Sequence, residues 1–187
     1  TPAGLIETTL RVPGRHNLRN AAAAAAASLA LGASADSVAK GLAAYVGTKG
    51  RLQIHPCILG ATLIDDTYNA NPDSTLAAIQ VLAERPGTRI LVLGDMGELG
   101  PDAAALHGEV GEQARATGIE RLLCLGEMSA HTAKGFGAGA MHFERIEELL
   151  AEIECALGPD VTVLVKGSRF MKMERVVQSF MEAHKCY

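Results

Sequence analysis

Ile90-Leu91-Val92-Leu93 runs directly into Gly94-Asp95-Met96-Gly97-Glu98-Leu99-Gly100, and a helical stretch follows at Ala103–Thr117. Four successive aliphatic side chains suit a strand covered on both faces, since neither face then favours a polar residue. The same strand–loop–helix unit recurs around it. Apolar strands are expected at Ala61–Ile64, Leu122–Leu125 and Val161–Val165, and helices at Ser74–Ala83, Ser129–Phe136, Ile146–Leu157 and Met171–Ala183. Met141–Phe143 reads as a short strand and Leu52–Leu59 as a less regular one, interrupted by Pro56. Strands alternating with helices predict an α/β fold, an open and mostly parallel sheet with helices on both faces and right-handed crossovers. Only Gly60 separates Leu52–Leu59 from Ala61–Ile64, so this pair is expected to turn as a hairpin and add some antiparallel character.

Upstream of Gly50 the logic changes. Thr8–Val12 alternates as a strand would, Pro13-Gly14 turns the chain, and Asn17–Leu31 is mostly alanine, the residue of highest helix propensity. Gly32 is a helix stop, and Ser34 or Asp36 can cap a second helix reaching about Tyr45. Val46-Gly47-Thr48-Lys49-Gly50 reads as a linker. Residues 1–49 are therefore expected to be a short helical tail of another domain, and residues 50–187 the sheet domain.

With 48% hydrophobic residues in 187, the chain can bury a core, built from Ala, Leu, Val and Ile because tryptophan is absent. Net charge is −4 and no basic stripe occurs, which argues against a nucleic-acid partner. The longest apolar run, Ala21–Leu31, is short of the ~20 residues a bilayer span needs, so no membrane association is expected. The cysteines at 57, 124, 155 and 186 form no C-x-x-C pair and are expected to be thiols in a reducing compartment. The chain starts at Thr1 rather than Met, and Thr1-Pro2-Ala3-Gly4 reads as a cut into a longer protein.

In an open parallel sheet, ligands bind beyond the carboxyl ends of the strands. Four loops qualify: Asp65–Pro72, Gly94–Gly100, Gly126-Glu127 and Lys166-Gly167-Ser168-Arg169. In the first, adjacent carboxylates at the strand end can accept hydrogen bonds from a ribose diol or simply cap the turn. The second carries G-x-x-G-x-x-G, not the G-x-G-x-x-G of dinucleotide folds, and its two acids would repel a pyrophosphate. The fourth sets Lys166, Arg169 and backbone N–H groups at an expected helix N-terminus, an arrangement that suits a carboxylate or phosphate or makes a plain basic turn. Upstream, Asn17 and Asn20 are three apart on a helix start. Their amides can meet an adenine edge, or Asn17 can serve as an N-cap.

Together these segments resemble a known family. Gly14-Arg15-His16-Asn17 with Asn20 and the alanines is similar to the G-x-H-N-x-x-N-A-x-A-A segment of the Mur ligases, and Gly50-Arg51-Leu52 to the glycine-arginine that enters their third domain. Asp65–Pro72, Leu93–Gly100 and Val165–Arg169 resemble the member that joins D-alanyl-D-alanine to UDP-N-acetylmuramoyl-tripeptide in peptidoglycan synthesis. The resemblance implies a Rossmann-like carboxyl-terminal domain that follows a central ATPase domain. It implies amide ligation in which ATP activates a carboxylate as an acyl phosphate, in the bacterial cytoplasm, by a monomer. On it, Asn17 and Asn20 would contact adenine, Arg51 the ATP phosphates and Asp66 the ribose. Arg51 and Lys166 would serve catalysis, and Asp95, Glu98, Lys166, Ser168 and Arg169 would place the dipeptide. The glycines around Thr48 would act as a hinge. The family's P-loop is nowhere in these residues, nor are its Mg2+-binding Glu and His, so this stretch alone is expected neither to cleave ATP nor to make amides. A sibling ligase using glutamate or polyglutamate, or a non-catalytic nucleotide-binding module, are the alternatives.

Overall fold

The computed structural model describes Thr1 and residues 4–181. Two compact units divide the chain, Thr1–Thr48 and Lys49–Tyr187.

The first unit carries α1 (Arg15–Ala30) and α2 (Ala35–Ala44). Helix α1 ends in a left-handed Gly32 (φ 90), where Gly32 N–H bonds Leu29 O and Ala33 N–H bonds Ser28 O, 3.0 Å each. These paired bonds satisfy carbonyls that the helix end would otherwise leave open. Ser34 caps α2 by accepting the Ser37 N–H at 3.2 Å. Thr8–Val12 is not a strand. Alternation marks only a face, and a strand also needs a ladder partner, which the segment lacks among the described residues. Thr8 instead donates its hydroxyl to Ala39 O at 3.0 Å.

The second unit is a six-stranded sheet in the order β1-β2-β6-β3-β4-β5. Its strands are β1 (Gln53–Pro56), β2 (Thr62–Asp66), β3 (Thr88–Gly94), β4 (Arg121–Leu125), β5 (Ala140–Phe143) and β6 (Val161–Lys166). Only β1 runs antiparallel, against β2, as the short connection required. That connection is a 3₁₀ turn at Ile58–Gly60 rather than a tight two-residue hairpin.

Helices α3 (Pro72–Ala83), α4 (Ala103–Ala116) and α5 (Ser129–Phe136) supply the core on one face, and α6 (Ile146–Ala156) and α7 (Glu174–Phe180) the core on the other. Successive strand residues alternate between these cores: Leu91, Leu93, Leu122 and Leu164 pack in the first, and Ile90, Val92, Leu123 and Val163 in the second. The expected helix at Met171–Ala183 begins three residues late, because Lys172 adopts a left-handed conformation (φ 51) that ends a 3₁₀ turn at Arg169–Met171. Its last two residues, like Cys186, lie outside the described residues. Cys124 and Cys155 carry free thiols, and burial pushes the Cys124 thiol well above the ordinary range. Among the described residues, no helix is long and apolar enough to cross a membrane.

The order places β6 between β2 and β3, so the strand order in the sheet departs from the order in the chain there, with all three strands parallel. At such a switch point the flanking loops diverge and leave a crevice at the carboxyl edge. The loops after β2, β6 and β3 are neighbours at this point.

Candidate active site at the carboxyl edge of the sheet

Asp65 and Asp66 are the last residues of β2 rather than the start of its loop, paired in register with Val165 and Lys166. The two acids differ in work. Asp65 Oδ1 accepts both the backbone N–H (3.1 Å) and the hydroxyl (2.6 Å) of Thr67, which turns the chain. Asp66 Oδ2 takes the Lys166 ammonium at 2.7 Å, and its Oδ1 takes the Leu52 N–H at 3.1 Å. Lys166 also donates to Asn69 O at 2.8 Å. Burial pushes the Asp66 carboxyl above its ordinary value, and the Lys166 ammonium and Leu52 N–H only partly offset this. The Lys166 side chain is 3% exposed, so it is no basic turn displayed to solvent but half of an interior ion pair.

A second knot joins three loops. The Ser168 hydroxyl donates to Ala70 O (2.9 Å) and accepts the Gly97 N–H (2.7 Å), while Ser168 N–H bonds Asp95 O at 3.0 Å. The Asp95 carboxylate accepts the Ser129 N–H at 2.7 Å, at the start of α5. It packs so tightly on Gly126 that a Cβ there would lie 2.5 Å from it. Asp95 and Ser168 are both buried and act here as braces. His107, inside α4, was not anticipated: its Nε2 accepts the Met96 N–H at 3.0 Å and its Nδ1 lies 2.7 Å from Ala103 O. Those partners require the proton on Nδ1. A single histidine in an alanine-rich helix gives no signal in sequence; only the helix register turns it inward.

What this frame leaves open is a smaller set. Arg51, Tyr68, Asn69, Glu98, Arg169 and Phe170 are exposed. The Arg51 guanidinium lies over the Tyr68 ring, 4.2 Å from its centroid. Arg169 pairs with Glu174 at 3.0 Å, and its N–H reaches Asn69 Oδ1 at 3.3 Å. Glu98 is held left-handed (φ 62), a conformation that costs a side-chain-bearing residue roughly 1–2 kcal/mol. The backbone after Ser168 forms a 3₁₀ turn and not the expected helix N-terminus. Asn71 caps α3 reciprocally with Ser74, and Pro72 fits the first turn as expected.

In the first unit, Asn17 lies within α1 and does not cap it; the N-cap is Gly14. Asn17 Nδ2 donates to Pro13 O at 2.6 Å, and Asn20 Nδ2 donates to Asn17 Oδ1 at 3.2 Å. The two amides do share a face, and among the described residues the Asn20 side chain makes no other hydrogen bond. Arg15, His16, Leu18 and Arg19 line an open cavity of ≈ 570 Å³, to which neither Asn17 nor Asn20 contributes. No group of three or more His, Cys, Asp or Glu among the described residues is placed to hold a metal ion.

A parallel sheet with interlocked loops at its switch point is the architecture of an α/β ligand-binding domain. The chain belongs to the Mur ligase family: residues 50–169 match the domain described as "Mur ligase, glutamate ligase domain". It is 44% identical over 188 residues to the UDP-N-acetylmuramoyl-tripeptide–D-alanyl-D-alanine ligase of Escherichia coli K12, covering all of this chain and 41% of that protein. Among solved structures it resembles MurF from Acinetobacter baumannii (TM-score 0.87, 35% identity), over 96% of this chain and 40% of that one. It also resembles the MurF ligase of Thermotoga maritima in complex with ADP (TM-score 0.80, 25% identity), over 89% of this chain and 38% of that one. The chain thus spans about 41% of the length of the curated relative it matches.

Proposed function

We propose that this chain is part of an ATP-dependent ligase that joins D-alanyl-D-alanine to UDP-N-acetylmuramoyl-tripeptide, acting as a monomer in the bacterial cytoplasm. The observation that carries the reading is the pair of buried knots, Asp66–Lys166 and Asp95–Ser168, which leave Arg51, Glu98 and the Glu174-paired Arg169 exposed on one sheet edge. Identity of 44% over the whole chain to a ligase of that name supports the substrate assignment.

ATP supplies the phosphoryl group that activates the tripeptide carboxylate. Arg51, exposed and cationic, faces the phosphates and offsets the charge that builds up during transfer. A carboxylate has about four acceptor sites, so Asp66 can still take a ribose hydroxyl while it holds Lys166 and Leu52. Asn20, with Asn17 fixing its orientation, meets the adenine edge. Lys166 neutralises Asp66 rather than touching substrate, because its side chain is buried and two of its donors are used.

The dipeptide carboxylate then falls to Arg169, whose planar fork suits it. Glu98 accepts from the dipeptide ammonium before the amine is deprotonated. Fixing both ends of the dipeptide aims its nitrogen at the activated carbonyl, and orientation of this kind contributes much of the rate gain in group transfer. Mg2+, which such chemistry uses, would be held by residues beyond this chain. The linker around Thr48 would let the sheet domain close over ATP.

The test is product formation by the full-length parent. With ATP, UDP-N-acetylmuramoyl-tripeptide and D-alanyl-D-alanine, it should release phosphate and form the pentapeptide. Phosphate release that ignores the dipeptide, or that responds to glutamate instead, would move the sibling ligases to the front.

A further inference from the structure

The backbone on both sides of Arg51 is fixed to the end of β2. Gly50 O accepts the Tyr68 N–H at 3.0 Å, and Leu52 N–H donates to Asp66 Oδ1 at 3.1 Å. Gly50 (φ 72) and Leu52 (φ 52) are both left-handed, and a Cβ on Gly50 would come within 3.0 Å of Tyr68 N. The Arg51 side chain is held differently. Among the described residues its guanidinium makes no hydrogen bond and no ion pair; its one contact of this kind is the face of the Tyr68 ring, 4.2 Å from the centroid. A carboxylate partner would have consumed the edge donors and cancelled the charge. A ring contact uses only the face of the guanidinium plane, and it leaves five N–H donors open to an anion. The Tyr68 hydroxyl itself makes no hydrogen bond among the described residues, so the ring alone does this.

We propose that Tyr68 is a positioning residue for phosphoryl transfer: it orients Arg51 face-on so that the whole guanidinium edge is presented to the phosphoryl group in transfer. This rests on the role given to Arg51 above. Tyr68 touches neither nucleotide nor dipeptide in this account and acts through Arg51.

The experiment uses the full-length enzyme with Tyr68→Ala and Tyr68→Phe, each made also in an Arg51→Lys background. Tyr68→Ala is expected to lower kcat about tenfold, leaving the KM for D-alanyl-D-alanine and the calorimetric Kd for ADP within about twofold, and Tyr68→Phe to restore kcat. Because residues acting as a unit are not additive, Tyr68→Ala should cost less than about twofold once Arg51 is Lys. An unchanged kcat in Tyr68→Ala overturns the proposal. So does an equal loss in the Arg51→Lys background. A fall in ADP affinity that matches the fall in kcat also overturns it, for the ring would then be a platform for the base. Wild-type enzyme without dipeptide-dependent turnover overturns the function first, and this role of Tyr68 with it.

Discussion

Asp66 and Lys166 stand opposite each other at the last rung of neighbouring parallel strands, and their side chains close a 2.7 Å ion pair across that rung. The pair is 100 residues apart in the chain and joins three things at once: the end of β2, the end of β6 and, through Leu52 N–H and Asn69 O, the segments on either side. Removing one member leaves the other charged and buried. Lys166→Met is therefore expected to lower unfolding stability by about 3–5 kcal/mol. The double change Asp66→Asn with Lys166→Met should cost less than the sum of the single changes, by about 0.5–3 kcal/mol. Urea unfolding of the four proteins checks this; additive costs would show that the two groups do not act as a pair.

Glycines make opposite demands in two helices. A Cβ on Gly111 in α4 would lie 2.1 Å from Thr132 O and 2.8 Å from Phe136 N, both backbone atoms of α5 or its end. Nothing lies within 4 Å of a Cβ on Gly41 in α2. Gly41→Ala should stabilise α2 by about 0.5–1 kcal/mol through helix propensity. Gly111→Ala should destabilise the sheet unit by about 1–3 kcal/mol, because the helices must separate to admit the methyl group. Amide hydrogen exchange, read helix by helix, separates the two effects.

His107 ties the loop after β3 to the start of α4. Replacing it by Leu leaves the buried Met96 N–H without an acceptor, which costs about 1–3 kcal/mol. The same change should raise the KM for the dipeptide, since Gly97 and Glu98 follow directly on Met96. Steady-state kinetics beside thermal unfolding would report both; a stability loss with unchanged KM would confine His107 to the fold.

Arg89 and Glu120 form a fork at the opposite end of the sheet, with Arg89 N–H and Nε both reaching Oε2, at 2.9 and 3.0 Å, and Nη2 reaching Oε1. The guanidinium hydrogen bonds hold the Glu120 carboxyl below its ordinary value of 4.5. A carboxylate whose pKa is lower when folded stabilises the protein above its unfolded pKa and loses that contribution as pH falls through the folded value. The stability difference between wild type and Glu120→Gln should thus be present at pH 7 and fade below about pH 4.5. Denaturation curves from pH 3 to 7 test it, and a difference that grows on acidification would reverse the sign.

Much of the fold was legible because aliphatic runs are hard to place anywhere but in a covered strand. Ile90–Leu93 and Leu122–Leu125 lie within β3 and β4, and the expected helix at Ser129–Phe136 has the observed bounds of α5. Local pattern alone failed at Thr8–Val12, where alternation had no partner strand among the described residues. It failed again at Met171, where one left-handed residue delayed a helix.

Site legibility divided along the same line. The four polar loops marked out the candidate edge, since strand ends in parallel sheets concentrate such residues. They did not announce which side chains face inward. Lys166 in a K-G-S-R stretch reads as a basic turn, and only strand register against Asp66 reveals that it is buried. The resemblance implies that Asp95 and Ser168 help place the dipeptide; in the structure both are buried and hydrogen-bonded to neighbouring loops.

The frame is buried, and Arg169 is the charge proposed to hold the dipeptide carboxylate. The most direct measurement is the KM for D-alanyl-D-alanine in the full-length enzyme carrying Arg169→Ala, set against its KM for ATP. Loss of a charge-assisted contact worth about 1.5–3 kcal/mol should raise the dipeptide KM roughly 10- to 150-fold and leave the ATP value within about twofold. An unchanged dipeptide KM, or an equal rise for both substrates, would contradict the account and return the carboxylate to a residue outside this edge.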